Sequence, residues 1–241
     1  MPDNGLDTTT GRRPRREPLS VRRITGAALE LLDSGGLAAV TMRAVANRLD
    51  VEAMSLYRYV VNRDRMLDEV IDLIVDELAD DPDVELEPSG TWTEWLAGMA
   101  RGVRHFSRAH PRAFPLIATH PTDVPWLNPP LRSARWVEAL LHGLTDQGFT
   151  DDEALYAYRL FNTFLLGYLL LETTAMTSAG QPSASDTNDV AEQYPTIARL
   201  ADGLAADRWD REFEDGLAAM LEGIADFRDG AVKKSGAAVS P

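Results

Sequence analysis

Cysteine is absent from the 241 residues. That excludes disulfides, thiolate metal sites and cysteine nucleophiles, and it fits an intracellular, cytoplasmic setting. No apolar stretch opens the chain: MPDNGLDTTTGRRPRREP is polar and broken by proline, unlike a signal peptide. The longest apolar run, Phe164 to Leu171, is interrupted by Gly167 and is far too short to span a bilayer, so no membrane partner is expected. Strand-like alternation persists nowhere, and there is no internal repeat. No Walker loop, G-x-S-x-G elbow or dinucleotide fingerprint is present, which argues against an enzyme and implies no cofactor. The histidines number four, at 105, 110, 120 and 142. His105 and His110 do not stack on one helix face, and His110 and His120 precede prolines as helix-boundary residues, so no metal site is expected.

What is present is unevenly placed. The net charge is −14, yet from Gly11 to Arg63 ten arginines stand against five carboxylates, a net +5 that leaves −19 for the remainder. A short basic head on an acidic body suits phosphate contact by the head alone, with the body repelled from a polyanion.

Helical spacing of apolar residues recurs throughout. A first helix is expected near 20–34, capped by Ser20, with Ile24, Ala27, Ala28, Leu31 and Leu32 as its stripe and Gly35-Gly36 as its end. A second follows at about 42–48 with Thr41 as cap, and a third at about 53–59. A fourth runs to about Asp80 with Met66, Leu67, Val70, Ile71, Ile74 and Leu78 inward, and the proline- and acid-rich DDPDVELEPSG ends it. Further helices are expected at 91–109, 131–147, 151–177 and 207–228. Segment 111–130 reads as loop with at most short helices, and 178–189 as a mobile loop. The fold class is all-α: a three-helix helix-turn-helix head and a larger helical domain. The parts are a disordered basic arm (1–18), a helix-turn-helix domain (19–66), a helical regulatory and dimerisation domain (67–229) and a disordered tail (230–241).

Residues 41–60, TMRAVANRLDVEAMSLYRYV, form two short helical patterns around a tight turn at Leu49-Asp50-Val51. In a helix-turn-helix the first helix braces the second, whose N-terminal residues face base edges in the major groove. Val45, Ala46, Leu49, Val51 and Leu56 have the spacing to pack the pair, and Asp50 falls where the turn needs a left-handed residue.

Residues 20–70 resemble the head of the tetracycline-repressor (TetR) family. The resemblance rests on the GG break, then T-x-R-x-V-A-x-R-L-x-V, then S-L-Y-x-Y-V, then N-R-x-x-M-L. It implies that Thr41 and Met42 open the bracing helix beside phosphate, and that Arg43 reaches a base, its fork suiting guanine N7 and O6. It places Ala53, Met54 and Ser55 at the start of the recognition helix, with Tyr57 and Tyr59 on phosphates. Arg58 lies on base or backbone, and Arg63 grips phosphate. Arg48 reads as a solvated surface residue. Asp50 departs from the usual glycine.

The body carries H-P (110–111), T-H-P (119–121), D-Q-G-F-T (146–150) and D-D-E-A-L-Y-A…F-L-L-G-Y (151–168), which resemble the same family's C-terminal domain. The resemblance implies a homodimer through a four-helix bundle of 151–177 and 207–228. The apolar residues expected there are Leu155, Phe161, Phe164, Leu165 and Leu169, then Trp209, Phe213, Leu217, Met220, Leu221 and Ile224, with Gly167 and Gly216 allowing close approach. It also implies a small-molecule effector inside the body. The expected lining is Trp95, Met99, Val103, Phe106, Leu116, Phe161, Phe164 and Tyr168, with His105, Thr119, Gln147, Asn162 and Thr163 as polar anchors. Positions matching the drug and magnesium contacts of tetracycline-binding members are apolar here, including Met99, Val103 and Leu116, so the implied effector is a different, largely apolar compound.

The expected function is a ligand-responsive repressor that binds a palindromic operator in double-stranded DNA. A DNA-binding activator, an effector-independent regulator, or a helical binding module with lost DNA affinity are the alternatives.

Overall fold

Side-chain caps mark the starts of six helices of this chain. In the computed structural model, residues 18–119, 133–178 and 193–237 are described, with side chains of the last helix described as far as 230. The expected basic arm as far as residue 17, His120, and the loop after Ser178 as far as 189 lie outside the described residues, as does the end of the tail.

Ser20 accepts the Arg23 N–H at 3.2 Å to start α1 (Val21–Gly35), and Gly36, at φ 71°, ends it. A 3-10 turn (Leu37–Ala39) leads to Thr41, which caps α2 (Met42–Leu49) by accepting from Ala44 N–H at 3.1 Å. The recognition segment α3 is α-helical only over Ala53–Leu56. Residues 57–59 continue as a tighter turn, with Tyr59 N–H bonded to Leu56 O at 2.9 Å. Asn62 caps α4 (Arg63–Ala79), whose buried residues are the six expected, Met66 through Leu78. In α1 the buried stripe includes Leu29, while Leu31 is only partly buried.

The body contains α5 (Trp92–Ala109), α6 (Phe114–Thr119), α7 (Ala134–Asp146), α8 (Asp151–Thr177), α9 (Pro195–Ala205) and α10 (Trp209–Ala237). Thr91 with Glu94 and Thr150 with Glu153 form reciprocal capping boxes at α5 and α8, each satisfying helix-start N–H groups that have no partner inside the helix. No strand occurs among the described residues. Helix α4 passes unbroken from head to body, so the two parts share one rod. α10 continues past Asp229 to Ala237.

α9 was not expected from the sequence. Its signal is Pro195 at the first helical position, where the missing N–H costs nothing. None of its residues is buried, and Ile197, Leu200 and Leu204 stand exposed.

α8 and α10 pack antiparallel. Tyr156 stacks on Phe227, a Cβ on Gly223 would touch Leu160, and one on Gly216 would lie 2.9 Å from Phe164. Gly216 therefore permits the close approach, whereas a Cβ on Gly167 would meet nothing within 4 Å among the described residues. By length and hydropathy α8 alone among the described helices could cross a membrane. It instead lies against α5, α6, α7 and α10, and its buried Glu172 pairs with Arg104.

Candidate nucleic-acid interface and internal cavity

The turn between α2 and α3 is built on a left-handed residue. Asp50 has φ 54° and ψ 51° and is the one non-glycine residue with positive φ among those described. Its N–H bonds Asn47 O at 3.2 Å and the Val51 N–H bonds Ala46 O at 3.0 Å, the paired closure that ends many helices. Aspartate tolerates this conformation better than most residues with a Cβ. Ala46 and Leu56 are buried where α2 meets α3, so a short side chain at 46 lets the recognition segment sit close.

That packing leaves a polar and aromatic surface facing out. Met54 is 76% exposed, Tyr57 47% and Tyr59 40%, so neither tyrosine belongs to the core. Thr41, Arg43 and Arg58 are exposed, and Ser55 is half-buried. Arg43 and Arg58 have no partner among the described residues. Met42 and Ala53 differ: both are partly buried and packed on the core beneath the face. Arg48 pairs with Glu30 of α1.

The Arg63 guanidinium turns back to the backbone. Its Nε donates to Val40 O and its Nη2 to Leu37 O, each at 2.7 Å. The fork thus closes on the 3-10 turn just ahead of Thr41.

Inside the body a cavity lies between α4, α5, α6, α7 and α8. Its wall is mostly apolar, with Val75, Leu78, Val103, Phe114, Ile117 and Leu165 in it, and Ser133, Trp136 and Asn162 also line it. The cavity volume is small, about 40 Å³. Of the expected lining only Val103 and Asn162 reach it, and Asn162 Nδ2 already donates to Tyr158 O at 2.8 Å. Trp95, Met99, Phe106 and Phe161 are buried in the surrounding core, and Leu116 is partly buried on α6. Phe164 and Tyr168 turn to α10, where they contact Phe213, and the Tyr168 hydroxyl donates to Trp209 O at 2.6 Å. Burial pushes that hydroxyl up to about 12. His105, Thr119 and Thr163 are exposed. Gln147 ends α7, with its Nε2 donating to Gly90 O at 3.1 Å.

Charged residues bind the body helices to each other. Arg104 of α5 makes two bonds to Glu172 of α8, one at 2.9 Å through Nε and one at 2.5 Å through Nη2. Its Nη2 also reaches Asp210 of α10 at 2.7 Å, an oxygen shared with Arg108. Burial opposes the charge on Arg104, and the Glu172 and Asp210 bonds outweigh it, raising its pKa. Arg101 pairs with Glu214 at 2.7 Å. Where head meets body, His110 Nδ1 lies 2.8 Å from Asp33 Oδ2 of α1, and Arg112 donates to Asp33 O. The Asp33 hydrogen bond raises the His110 pKa above its ordinary value. No metal-binding cluster occurs among the described residues.

Of the apolar residues expected at a dimer interface, Phe161, Leu165, Leu169, Phe213, Leu217, Met220 and Ile224 are buried inside the chain. Leu155 is exposed, and so are Tyr156, Leu171 and Met176 of α8 and Phe227 of α10.

The family model for bacterial regulatory proteins of the tetR family matches residues 24–70, and that for the tetracyclin repressor-like C-terminal domain matches residues 85–228. The HTH-type transcriptional repressor DrrR1 of Streptomyces coeruleorubidus is 28% identical, with 89% of this chain and 82% of that protein covered. A possible TetR family transcriptional regulator from Streptomyces coelicolor A3(2) is 30% identical with a TM-score of 0.68, covering 87% of this chain and all of that one. The Streptomyces coelicolor TetR family protein ActR, in complex with actinorhodin, is 29% identical with a TM-score of 0.65, covering 89% of this chain and 99% of that one.

Proposed function

The chain belongs to the tetR family of bacterial regulatory proteins and is a transcriptional regulator rather than an enzyme; from that premise we propose that it is a ligand-responsive repressor, binding a palindromic operator as a homodimer. The observation that carries the reading is the outward face of α2 and α3, where Arg43 and Arg58, with no partner among the described residues, stand exposed together with Tyr57, Tyr59 and Met54. Unpaired guanidinium groups on an exposed face retain their charge for phosphate and their fork for guanine. Two heads are needed to read a palindrome, and the outward apolar residues of α8 and α10 offer a surface for a second copy.

The cavity is the proposed effector site, and its apolar wall favours a largely apolar compound; that the similar protein ActR was solved in complex with actinorhodin supports a small-molecule effector. With about 40 Å³ free, any such occupant requires the surrounding helices to part. Val75 and Leu78 lie on α4, whose other end is in the head, so that parting displaces the rod on which the head is mounted. The effector then releases DNA by favouring a head separation that the operator does not fit. Repression is the output this release implies.

The test is titration of the purified full chain onto DNA flanking its own gene at rising salt, followed by addition of apolar aromatic compounds. Binding that weakens steeply with salt and is abolished by one compound is expected. Retention of no DNA even at low salt would refute operator binding, and binding untouched by every effector would leave a regulator without an inducer.

A further inference from the structure

We infer that Arg63 is a positioning residue: it sets the bracing helix α2, and through it Thr41 and Arg43, instead of gripping phosphate. The inference rests on the operator-binding reading only for its DNA measurements. Three observations carry it. First, two guanidinium donors are already committed to backbone, Nε to Val40 O and Nη2 to Leu37 O, each at 2.7 Å. Charged donors on carbonyls make stronger bonds than neutral ones, and a planar fork can hold two acceptors that a lysine ammonium on a flexible stem holds less rigidly.

Second, those carbonyls bound the 3-10 turn that enters α2. Val40 itself is fully buried, and the next residue, Thr41, supplies the cap bond to Ala44 N–H. A shift of the turn carries the cap with it, and Arg43 follows within the same helical turn. Third, Arg63 is fixed from its own side. It is the first residue of α4, whose start is capped by Asn62 bonding Arg65 N–H at 2.8 Å, and Met66 in the next turn is buried. Arg63 thus joins a firmly seated helix start to the one that presents Arg43.

The test uses Arg63→Gln and Arg63→Lys in the full chain, with a duplex selected by the wild-type protein from a random-sequence pool as probe. Arg63→Gln is expected to weaken binding on the order of tenfold, while the slope of log K against log salt stays at the wild-type value. In that background Arg43→Ala loses most of its effect and Arg58→Ala retains its own, because only the first residue depends on the placement of α2. Arg63→Lys, which keeps a charge and some hydrogen bonding, falls between wild type and Arg63→Gln. Hydrogen exchange at the Ala44 and Val45 amides speeds up in Arg63→Gln without DNA present.

A salt slope reduced by about one phosphate, with effects that add to both arginines, would overturn the inference and make Arg63 a phosphate contact. Equal loss of the Arg43 and Arg58 contributions, together with a lowered melting temperature, would overturn it in favour of a general structural role. Should Arg63→Gln fail to fold, Arg63→Lys carries the same comparisons. If no duplex is selected, operator binding fails as a reading, and the exchange rates of Ala44 and Val45 alone decide the role of Arg63.

Discussion

The head and the body use arginine in opposite ways. In the body, Arg101, Arg104 and Arg108 of α5 all point to carboxylates of α8 and α10, so their charge is consumed in holding helices together. In the head, Arg43 and Arg58 stand exposed and unpaired among the described residues. The difference accounts for how a chain of net charge −14 can present a cationic face to a polyanion. The total matters little to DNA where the arginines of α5 are tied to carboxylates and Arg43 and Arg58 face outward. Arg48 and Arg63 of the head differ from them, being held by Glu30 and by two backbone carbonyls.

The comparison breaks most violently at Arg104. Replacing it with Ala leaves the Glu172 carboxylate, with 2% of its side chain exposed, without its principal partner. A loss of about 3–5 kcal/mol in denaturant unfolding is expected, and Arg104→Met with Glu172→Leu should recover most of it. A loss below 1 kcal/mol would mean that the pair is dispensable. In the head the corresponding change acts on binding and leaves folding alone. Arg43→Ala should cost roughly 1–3 kcal/mol at one base step, measured against single-base operator variants, with the melting temperature unmoved. Equal weakening on every sequence would reassign Arg43 to phosphate.

A smaller effect sharpens the turn between α2 and α3. Alanine at position 50 lacks the polar side chain that lets aspartate occupy the left-handed region, so Asp50→Ala should cost about 1 kcal/mol of head stability. Asp50→Gly should cost less and bind DNA more tightly, since a negative charge leaves the neighbourhood of the phosphates. Both are read by thermal unfolding and by operator titration. The smallest effect expected concerns the contact that joins the two regions. His110 has a raised pKa in the folded chain, so its bond to Asp33 contributes fully below the unfolded value near 6.5 and is lost as pH rises through the folded value. The stability difference between wild type and His110→Asn should therefore shrink from pH 6 to pH 8. The groups facing His110 are Asp33 of α1, Glu77 of α4 and the Phe106 ring of α5. A difference independent of pH would show that packing on Phe106, and not charge, holds the contact.

How far the sequence could be read followed from how local the cause was. Ser20 and Thr41 cap helices through bonds three residues long, and the left-handed turn at Asp50 is set by its neighbours, so these features of the head were legible in the sequence. Val103 and Phe164 look alike in a helical stripe, yet one lines the cavity and the other packs on α10. Periodicity says that a residue is inward and does not say which helix it meets. Trp136 and Phe114 escaped for that reason, and Tyr156 with Phe227 because an outward aromatic pair depends on two helices being antiparallel. Arg63 escaped because its acceptors lie 23 and 26 residues away.

The most direct test of the central claim is selection of duplexes by the full-length protein from a random pool, followed by footprinting of the enriched sequence. A two-fold symmetric site is expected, its half-sites about one helical turn apart, with protection in the major groove that is altered at one base pair per half-site by Arg43→Ala. Enrichment of an asymmetric single site, or of no sequence at all, would contradict a paired reader built on α2 and α3.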